Sequence, residues 1–384
     1  MSAFLNFNSK LPEVKTTIFT VVGKMANEYK AINLAQGFPD FSPDAELLGL
    51  YKKALNGSYN QYAPMTGAQQ LREVIVEKIE KTYGKKYDVE KEVTITAGAT
   101  QAIYTAITAF VSKGDEVIIL KPAYDCYEPA IELAGGVPVL IQLKGKEFKI
   151  DWDEFRDKVT SKTRMVIINT PHNPSGQILT ETDMLALQDI LRNTHVILLS
   201  DEVYEHIVFD DAVHQSASRF EDLSERSIIC SSFGKTFHVT GWKVGYCVGP
   251  LDLMQEFNKI HQFNVFCVNH PAQIALAEYL QNEEHYLSLN DFYQKKRDYF
   301  LNAVSGSRFK FTPSQGSYFQ LLDYSDITNE GDIALNERLI KEYKLASIPM
   351  SVFNINERDD KLLRFCFAKT EETLDKAAEI LNKI

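Results

Sequence analysis

The sequence is poor in cysteine, and its cysteines form no recognisable pattern. Five are scattered over 384 residues, and no two of them are separated by only two residues. We therefore expect neither a zinc site nor a disulfide framework. Free, mostly buried thiols in a reducing compartment are the simplest interpretation.

Long apolar runs and long basic runs are also absent. No stretch reaches the roughly 18 uncharged apolar residues of a membrane span, and residues 1–19 lack the apolar core of a signal peptide. We therefore predict a cytoplasmic protein without a membrane partner. Acidic residues outnumber basic ones by 52 to 41, which gives a net charge of −11. We expect no nucleic-acid partner, because neutralising phosphates requires clustered lysine and arginine.

The sequence contains only part of a nucleotide-binding loop. Gly234, Lys235 and Thr236 match the end of a P-loop, but Ile229 occupies the position of its first glycine. This argues against nucleotide hydrolysis. The segment instead carries two lysines, Lys235 and Lys243, within a pattern that reads as strand and turn.

What the sequence does contain is a repeated alternation of short β-branched runs with helical patterns. Several runs are almost continuously apolar, which is typical of parallel strands covered on both faces. The alternation predicts an α/β sheet. The predicted strands lie near residues 92–96, 115–120, 164–170, 195–201, 226–232 and 245–249.

The last hundred residues follow a different pattern and predict a smaller α+β domain. A long helical stretch there is followed by two short strands and a final helix. The chain is long enough for two domains. We predict an N-terminal arm with part of the small domain over 1–45, a large domain over 46–285, and a C-terminal small domain over 286–384.

Chemically active side chains follow the predicted strands, at the edge where open α/β sheets bind ligands. They comprise a helix start made of small residues, an aromatic ring, an amide, a carboxylate, a phenol and a lysine. In chain order these are Gly98-Ala99-Thr100, Tyr124, Asn173, Asp201, Tyr204 and Lys235. Together they suit an aromatic nitrogen heterocycle that bears a phosphate and an aldehyde, namely pyridoxal 5'-phosphate.

Each role has a chemical reason. The amine of Lys235 can form a Schiff base with an aldehyde, and Asp201 can keep a pyridine nitrogen protonated. The helix start offers free N–H groups to phosphate, to which Ser232 adds a hydroxyl and Lys243 a charge. Tyr124 can stack on the ring. Asn173 and Tyr204 can donate to its phenolate oxygen.

Taken singly, these residues have commoner explanations. An aspartate after a strand is more often a helix cap, Asn-Pro-Ser-Gly is usually only a turn, and most lysines are solvated. Their coincidence at successive strand ends favours the cofactor site.

The chain resembles class I pyridoxal-phosphate-dependent aminotransferases of the aspartate aminotransferase superfamily, fold type I. The matching segments occur in the family's order over most of the chain, and their sequences resemble most the methionine and kynurenine–glutamine aminotransferase branch. They are "INLAQGFPDF" (32–41), "NQYAPMTGAQQLRE" (60–73), "TITAGATQAIY" (94–104), "NTPHNPSG" (169–176), "SDEVYEH" (200–206), "SSFGKTFHVTGWKVGY" (231–246), "QGSYF" (315–319) and "LLRFCFA" (362–368). The resemblance implies a large domain with a mostly parallel seven-stranded sheet covered by helices, and a smaller α+β domain.

The resemblance also implies a role for each matching residue. Lys235 corresponds to the Schiff-base lysine, Asp201 to the pyridinium partner, and Arg364 to the arginine that binds the substrate α-carboxylate. The other matches are Asn173 and Tyr204 as ring-oxygen donors, Gly98, Ala99, Thr100 and Ser232 around the phosphate, and Ile18, Phe19 and Gly37 near the substrate. Tyr62 matches the tyrosine that reaches the neighbouring subunit's phosphate, which implies a homodimer.

The sequence departs from the family pattern at two positions. Lys243 stands where arginine is usual, and so it keeps the charge but not the bidentate geometry. Tyr124 stands where many relatives have tryptophan or phenylalanine, and all three rings can stack. The family further suggests cis peptide bonds at Lys121-Pro122 and Asn173-Pro174.

The expected reaction is a ping-pong transamination in which Lys235 carries the α-proton. Methionine, aromatic amino acids, glutamine or kynurenine are expected as donors rather than aspartate, because no second arginine can be assigned to a distal carboxylate. Three alternatives stay open. They are a cysteine-S-conjugate β-lyase on the same scaffold, a non-catalytic ligand-binding protein, and an α/β protein whose motifs are purely structural.

Overall fold

A computed structural model describes residues 8–384, so the first seven residues of the predicted N-terminal arm lie outside the described residues. The five cysteines are free, and Cys230, Cys247 and Cys366 are buried. Within residues 8–384, no helix is long and apolar enough to cross a membrane.

Seven strands form the central sheet. They are β2 (Val93–Thr96), β3 (Glu116–Lys121), β4 (Val137–Gln142), β5 (Thr163–Asn169), β6 (Ile197–Asp201), β7 (Ser227–Ser232) and β8 (Gly245–Val248). Their order is β2-β8-β7-β6-β5-β3-β4, and neighbours are parallel except where β8 pairs with β2 and β7. The predicted α/β class with a mostly parallel sheet is therefore confirmed.

Strand β4 is the one member of this sheet that the sequence pattern did not reveal. It lies at the edge of the sheet and contains Pro138, which has no N–H to donate. Proline is tolerated on edge strands but disfavours a strand prediction. Val137 is 49 % exposed, so β4 also lacks the continuous burial of the central strands.

Fifteen α-helices occur among the described residues. They are α1 (Ile18–Glu28), α2 (Ala45–Leu55), α3 (Gln69–Tyr83), α4 (Gly98–Phe110), α5 (Tyr127–Ala134), α6 (Trp152–Lys158), α7 (Glu181–Leu191), α8 (Glu221–Ser224), α9 (Phe233–Thr236), α10 (Leu251–Asn264), α11 (His270–Leu280), α12 (Glu284–Leu287), α13 (Leu289–Val304), α14 (Asp332–Arg338) and α15 (Glu371–Leu381). Short 3₁₀ turns span Ala217–Arg219, Thr240–Trp242, Ser351–Phe353 and Ile355–Glu357, and a π-helical turn spans Leu339–Tyr343.

Helix α7 begins with a capping box. The Thr180 side chain accepts from the backbone N–H of Asp183, and the Asp183 carboxylate accepts from the backbone N–H of Thr180. This reciprocal pair satisfies two N–H groups at the helix start.

The remaining strands join the two ends of the chain. β9 (Phe319–Asp323), β11 (Ile348–Pro349) and β12 (Leu362–Cys366) form an antiparallel sheet in the order β11-β12-β9. β1 (Ile32–Asn33) pairs in parallel with β10 (Leu345–Ala346). The N-terminal segment therefore packs onto the C-terminal part of the chain, next to the strand that carries Arg364.

Candidate active site

A cavity of about 190 Å³ lies at the carboxyl ends of β5, β6 and β7 and at the start of α4. Its lining brings together all of the predicted cofactor residues except Tyr62, and we call this lining the cofactor wall. The cofactor wall consists of Gly98, Ala99, Thr100, Ile103, Tyr124, Asn169, Asn173, Asp201, Val203, Tyr204, Ser232, Gly234, Lys235, Thr240 and Lys243.

One end of the cofactor wall is suited to an anion. Helix α4 begins at Gly98 without a side-chain cap, so its first N–H groups lack intrahelical partners and point along the helix dipole. Gly98 has φ +75°, and a Cβ there would lie 3.3 Å from Lys243 Nζ. The positive φ favours glycine at this position, and a side chain here would also crowd the ammonium group. A phosphate would meet both kinds of donor here.

The other end of the cofactor wall carries a buried carboxylate. Asp201 is the last residue of β6, and its Oδ2 accepts a hydrogen bond from the Tyr127 hydroxyl at 2.6 Å. Burial raises the pKa of Asp201 to about 6, although the Tyr127 hydrogen bond and the charge of Lys235 act to lower it. A buried carboxylate without a cationic partner costs free energy. A protonated ring nitrogen would provide that partner.

The loop after β5 is fixed to the end of β6 by an amide. Asn169 Oδ1 accepts from the backbone N–H of Asn173 at 2.7 Å, and Asn169 Nδ2 donates to the Asp201 carbonyl at 2.8 Å. The predicted cis bonds at Lys121-Pro122 and Asn173-Pro174 are confirmed, and Thr170-Pro171 is also cis.

Lys235 belongs to the same cavity lining as these groups. Its Nζ donates to the Gly37 carbonyl at 3.1 Å and to the Tyr318 hydroxyl at 2.9 Å. Burial lowers the pKa of Lys235 to about 8. A substantial fraction of the amine is therefore neutral near pH 8, which suits both attack on an aldehyde and proton transfer.

Arg364 adjoins the cavity through Asn173. Its Nη1 donates to Asn173 Oδ1 at 2.6 Å, its Nη2 donates to the Ala35 carbonyl at 3.1 Å, and its guanidinium lies 3.9 Å from the Phe319 ring centroid. Burial lowers the pKa of Arg364 to about 10, so it stays charged at neutral pH. Arg364 Nε is buried and has no hydrogen-bond partner among the described residues. A fully buried cation with an unused donor is suited to bind an anionic ligand group.

Four residues outside the cavity lining lie close to one another and to Lys235 or Asn173. We call Gly37, Tyr318, Phe319 and Arg364 the substrate wall, after the roles predicted for Gly37 and Arg364. Of the other predicted substrate residues, Phe19 lies 5.4 Å from the Arg364 guanidinium. Ile18 packs against the hydrophobic core and is not part of the cavity lining.

Tyr62 is the predicted cofactor residue that lies outside the cavity. Its side chain is 80 % exposed, and its ring packs edge-to-face against Phe266 at 5.3 Å. Tyr62 is not among the residues of this chain that line the described cavity.

Three residues with defined contacts in the site were not predicted from the sequence. Asn169 and Tyr127 support Asn173 and Asp201, and Tyr318 contacts Lys235. The available signals were weak. Tyr127 follows Tyr124 by three residues, and Tyr318 stands in the "QGSYF" segment without a distinguishing neighbour.

The donors of the cofactor wall fit pyridoxal phosphate. They provide a cation and a helix start at one end, a carboxylate at the other, and a primary amine in the same lining. Gly98, Ala99, Thr100, Ser232 and Lys243 would hold the phosphate, Asp201 the ring nitrogen, and Lys235 the aldehyde.

Comparison with known proteins decides the family. Residues 29–381 match the family described as aminotransferase class I and II. The chain belongs to the class I and II aminotransferases. It is 48 % identical over 377 residues to a methionine aminotransferase of Escherichia coli, covering 98 % of both chains. It is also 32 % identical to human kynurenine–oxoglutarate transaminase 1, covering 94 % of both.

Solved structures of this family have the same fold. A crystal structure of the E. coli methionine aminotransferase superimposes with a TM-score of 0.96 at 47 % identity, covering 99 % of this chain and all of that one. The chain is therefore an aminotransferase of fold type I, a family that depends on pyridoxal phosphate.

Proposed function

We propose that this aminotransferase moves the amino group of a neutral hydrophobic, sulfur-containing or aromatic L-amino acid, with methionine favoured, to a 2-oxo acid by a ping-pong mechanism. This proposal is supported mainly by the aromatic residues around Arg364. Phe19, Phe319 and Phe353 all lie within 6 Å of its guanidinium. The similarity to a methionine aminotransferase supports the same choice.

The charges around Arg364 also disfavour a second carboxylate on the substrate. The described cavity lining contains no arginine, and Arg364 reaches it through Asn173. Burial raises the pKa of Asp125, and the charge of Arg364 partly opposes this rise. The Asp125 carboxyl therefore lies within electrostatic range of Arg364. A distal carboxylate would meet aromatic surfaces and a like charge, both of which cost free energy.

The proposed roles follow from the contacts. When bound, pyridoxal phosphate supplies an electron-withdrawing ring that stabilises negative charge at the substrate's α-carbon. Arg364 binds the α-carboxylate through its guanidinium, while Asn173 holds that guanidinium in place. With the cofactor bound, Lys235 Nζ would take the α-proton of the substrate and later return it. Asp201 would favour the protonated form of the ring nitrogen.

The substrate preference can be tested by comparing methionine with aspartate as donors to one common 2-oxo acid. We expect kcat/KM to be at least about 100-fold higher for methionine, since a misplaced charge costs several kcal/mol. Faster turnover of aspartate would refute the preference. Release of pyruvate and ammonia from a cysteine conjugate without an acceptor would instead indicate a β-lyase.

We also propose that two chains form a homodimer in which Tyr62 completes the partner's phosphate site. Tyr62, Phe263 and Phe266 are 80 %, 86 % and 50 % exposed, and exposed aromatic clusters mark interfaces. Mixing inactive Tyr62→Ala and Lys235→Ala chains should restore activity, because a mixed dimer has one intact site. A monomeric mass in sedimentation, or no recovery on mixing, would contradict the proposal.

Two further assignments remain proposals. We infer a division into 1–45, 46–285 and 286–384, which the separate three-stranded sheet β11-β12-β9 supports. Limited proteolysis should cut near these boundaries.

Cytoplasmic location likewise stays a prediction, to be tested by cell fractionation.

A further inference from the structure

Tyr318 forms a closed triangle of hydrogen bonds with Lys235 and Gly37. Its hydroxyl accepts from Lys235 Nζ at 2.9 Å and donates to the Gly37 carbonyl at 2.6 Å, and Lys235 Nζ donates to the same carbonyl at 3.1 Å. The Tyr318 side chain is completely buried. The amine of Lys235, which lines the cavity, is thus held by two oxygens, one of them on a completely buried side chain.

The backbone of Tyr318 is fixed independently of Lys235. The preceding residue, Ser317, donates to the Ile207 carbonyl at 2.9 Å, and Phe367 donates to the Tyr318 carbonyl at 3.0 Å. The ring packs edge-to-face against Tyr204, with centroids 5.1 Å apart. The hydroxyl therefore keeps its position when the flexible lysine side chain moves.

We propose that Tyr318 is a positioning residue that, together with the Gly37 carbonyl, holds the amine of Lys235 whenever that amine is not joined to the cofactor. The inference rests on the proposed role of Lys235 as the proton carrier. In each half-reaction the amine must leave the cofactor, take a proton and return it. A defined resting place keeps it within reach of the α-carbon during these steps.

The electrostatics of the triangle give the inference a measurable consequence. Burial raises the pKa of Tyr318 well above its ordinary value, so its hydroxyl stays neutral. Burial lowers the pKa of Lys235 to about 8. Both oxygens accept hydrogen bonds from the ammonium form and therefore oppose this fall. Removing the hydroxyl should lower the pKa of the Lys235 amine further.

A substitution of Tyr293 can distinguish a purely structural role of Tyr318 from a role in holding the Lys235 amine. The Tyr293 ring lies 5.8 Å from the Tyr318 ring and is completely buried. Its hydroxyl has no hydrogen-bond partner among residues 8–384. Tyr293→Phe thus removes the same atom from the same aromatic cluster without touching Lys235.

The first test uses the cofactor-free protein and therefore does not depend on turnover. The rate of acylation of Lys235 by an amine-reactive anhydride is followed against pH by mass spectrometry. We expect the midpoint in Tyr318→Phe to fall by about one pH unit relative to the unmodified protein, since the lost partner favours the charged amine. Tyr293→Phe should match the unmodified protein.

The second test follows the half-reaction of the loaded enzyme with methionine and with α-deuterated methionine. Tyr318→Phe should lower the rate at least about tenfold with little change in the methionine KM, and should increase the deuterium isotope effect, because proton transfer becomes the slow step. If Tyr318→Phe does not fold, 3-fluorotyrosine at position 318 keeps the hydroxyl but weakens it as an acceptor, and the midpoint should shift in the same direction.

Equal midpoints and equal half-reaction rates in Tyr318→Phe and Tyr293→Phe would overturn the inference. If the unmodified enzyme shows no half-reaction at all, the proposed function fails. The acylation midpoints still decide separately whether Tyr318 holds the amine.

Discussion

The two walls of the active site are built in different ways. Residues of the cofactor wall stand within a few positions of strand ends in one hydrogen-bonded sheet, between Gly98 and Lys243. Residues of the substrate wall come from the loop after β1, from β9 and the residue before it, and from β12. They contact the cofactor wall through a few hydrogen bonds, from Lys235 to Gly37 and Tyr318 and from Arg364 to Asn173. A sheet edge fixes many side chains at once, whereas each substrate-wall contact depends on how separate segments pack. Cofactor binding and substrate recognition should therefore be separable by mutation.

The largest effect is expected where both walls meet. Lys235→Ala should reduce transamination more than about 10⁴-fold, because it removes both the nucleophile and the proton carrier. The rate of 2-oxo acid formation from methionine measures the loss. Lys259→Ala, which removes an exposed lysine that forms an ion pair with Glu256, should leave the rate unchanged. Retention of more than about 1 % activity in Lys235→Ala would mean that another group carries the proton.

A substitution in the substrate wall should leave cofactor binding intact. Arg364→Lys loses the planar fork while keeping a charge, and we expect kcat/KM for methionine to fall about 100-fold, mainly through KM. Cofactor affinity, measured by titrating the cofactor-free protein, should change less than about twofold. Arg338→Lys serves as the control, because Arg338 forms its hydrogen bond with Glu330, which is remote from the site. Equal losses of cofactor and substrate affinity would break the distinction between the walls.

A substitution behind the cofactor wall should have the opposite signature. Asp201 has a raised pKa of about 6, so it becomes protonated, and loses its attraction for a ring cation, as the pH falls through about 6. The Tyr127 hydrogen bond lowers this pKa, and so Tyr127→Phe should raise it. We expect cofactor affinity at pH 7 to fall about tenfold, and its acid-side decline to begin at higher pH.

The control for this substitution is another buried tyrosine. Tyr87 donates or accepts a hydrogen bond with Ser218 at 3.0 Å, away from the cavity lining. Tyr87→Phe should leave the pH profile of cofactor binding in place even if it lowers the melting temperature. A profile that shifts equally in both variants would assign the effect to general destabilisation.

The smallest effect is expected at Lys243, which departs from the family pattern. Lys243→Arg restores the usual residue, but Lys243 has φ +53° and its ammonium stands close to Gly98. The guanidinium of arginine offers a second hydrogen-bond donor, but it is larger than the ammonium group and has less space beside Gly98. We therefore expect cofactor affinity to change less than about threefold, measured by the same titration. Lys243→Met should weaken it about tenfold, since the charge is lost.

The contrast between the walls also explains which features the sequence could predict. The central parts of β5 and β6 are apolar and buried, and side chains that line the cavity stand at or just beyond the ends of β5, β6 and β7. The strand pattern therefore predicted that Asn173, Asp201 and Lys235 would lie at one edge of the sheet. The edge strand β4 escaped because of Pro138 and partial exposure. Tyr127 and Tyr318 escaped because their partners are 74 and 83 residues away, and only the packed structure defines such contacts.

The central claim is that this chain is a transaminase whose site accepts a neutral side chain such as that of methionine. It is tested most directly by adding L-methionine, without any acceptor, to the protein loaded with pyridoxal phosphate and recording the visible spectrum. We predict that the absorption of the bound aldehyde form is replaced by that of the amine form, with one 2-oxo acid released per site. A spectrum unchanged by methionine but converted by aspartate would contradict the claim.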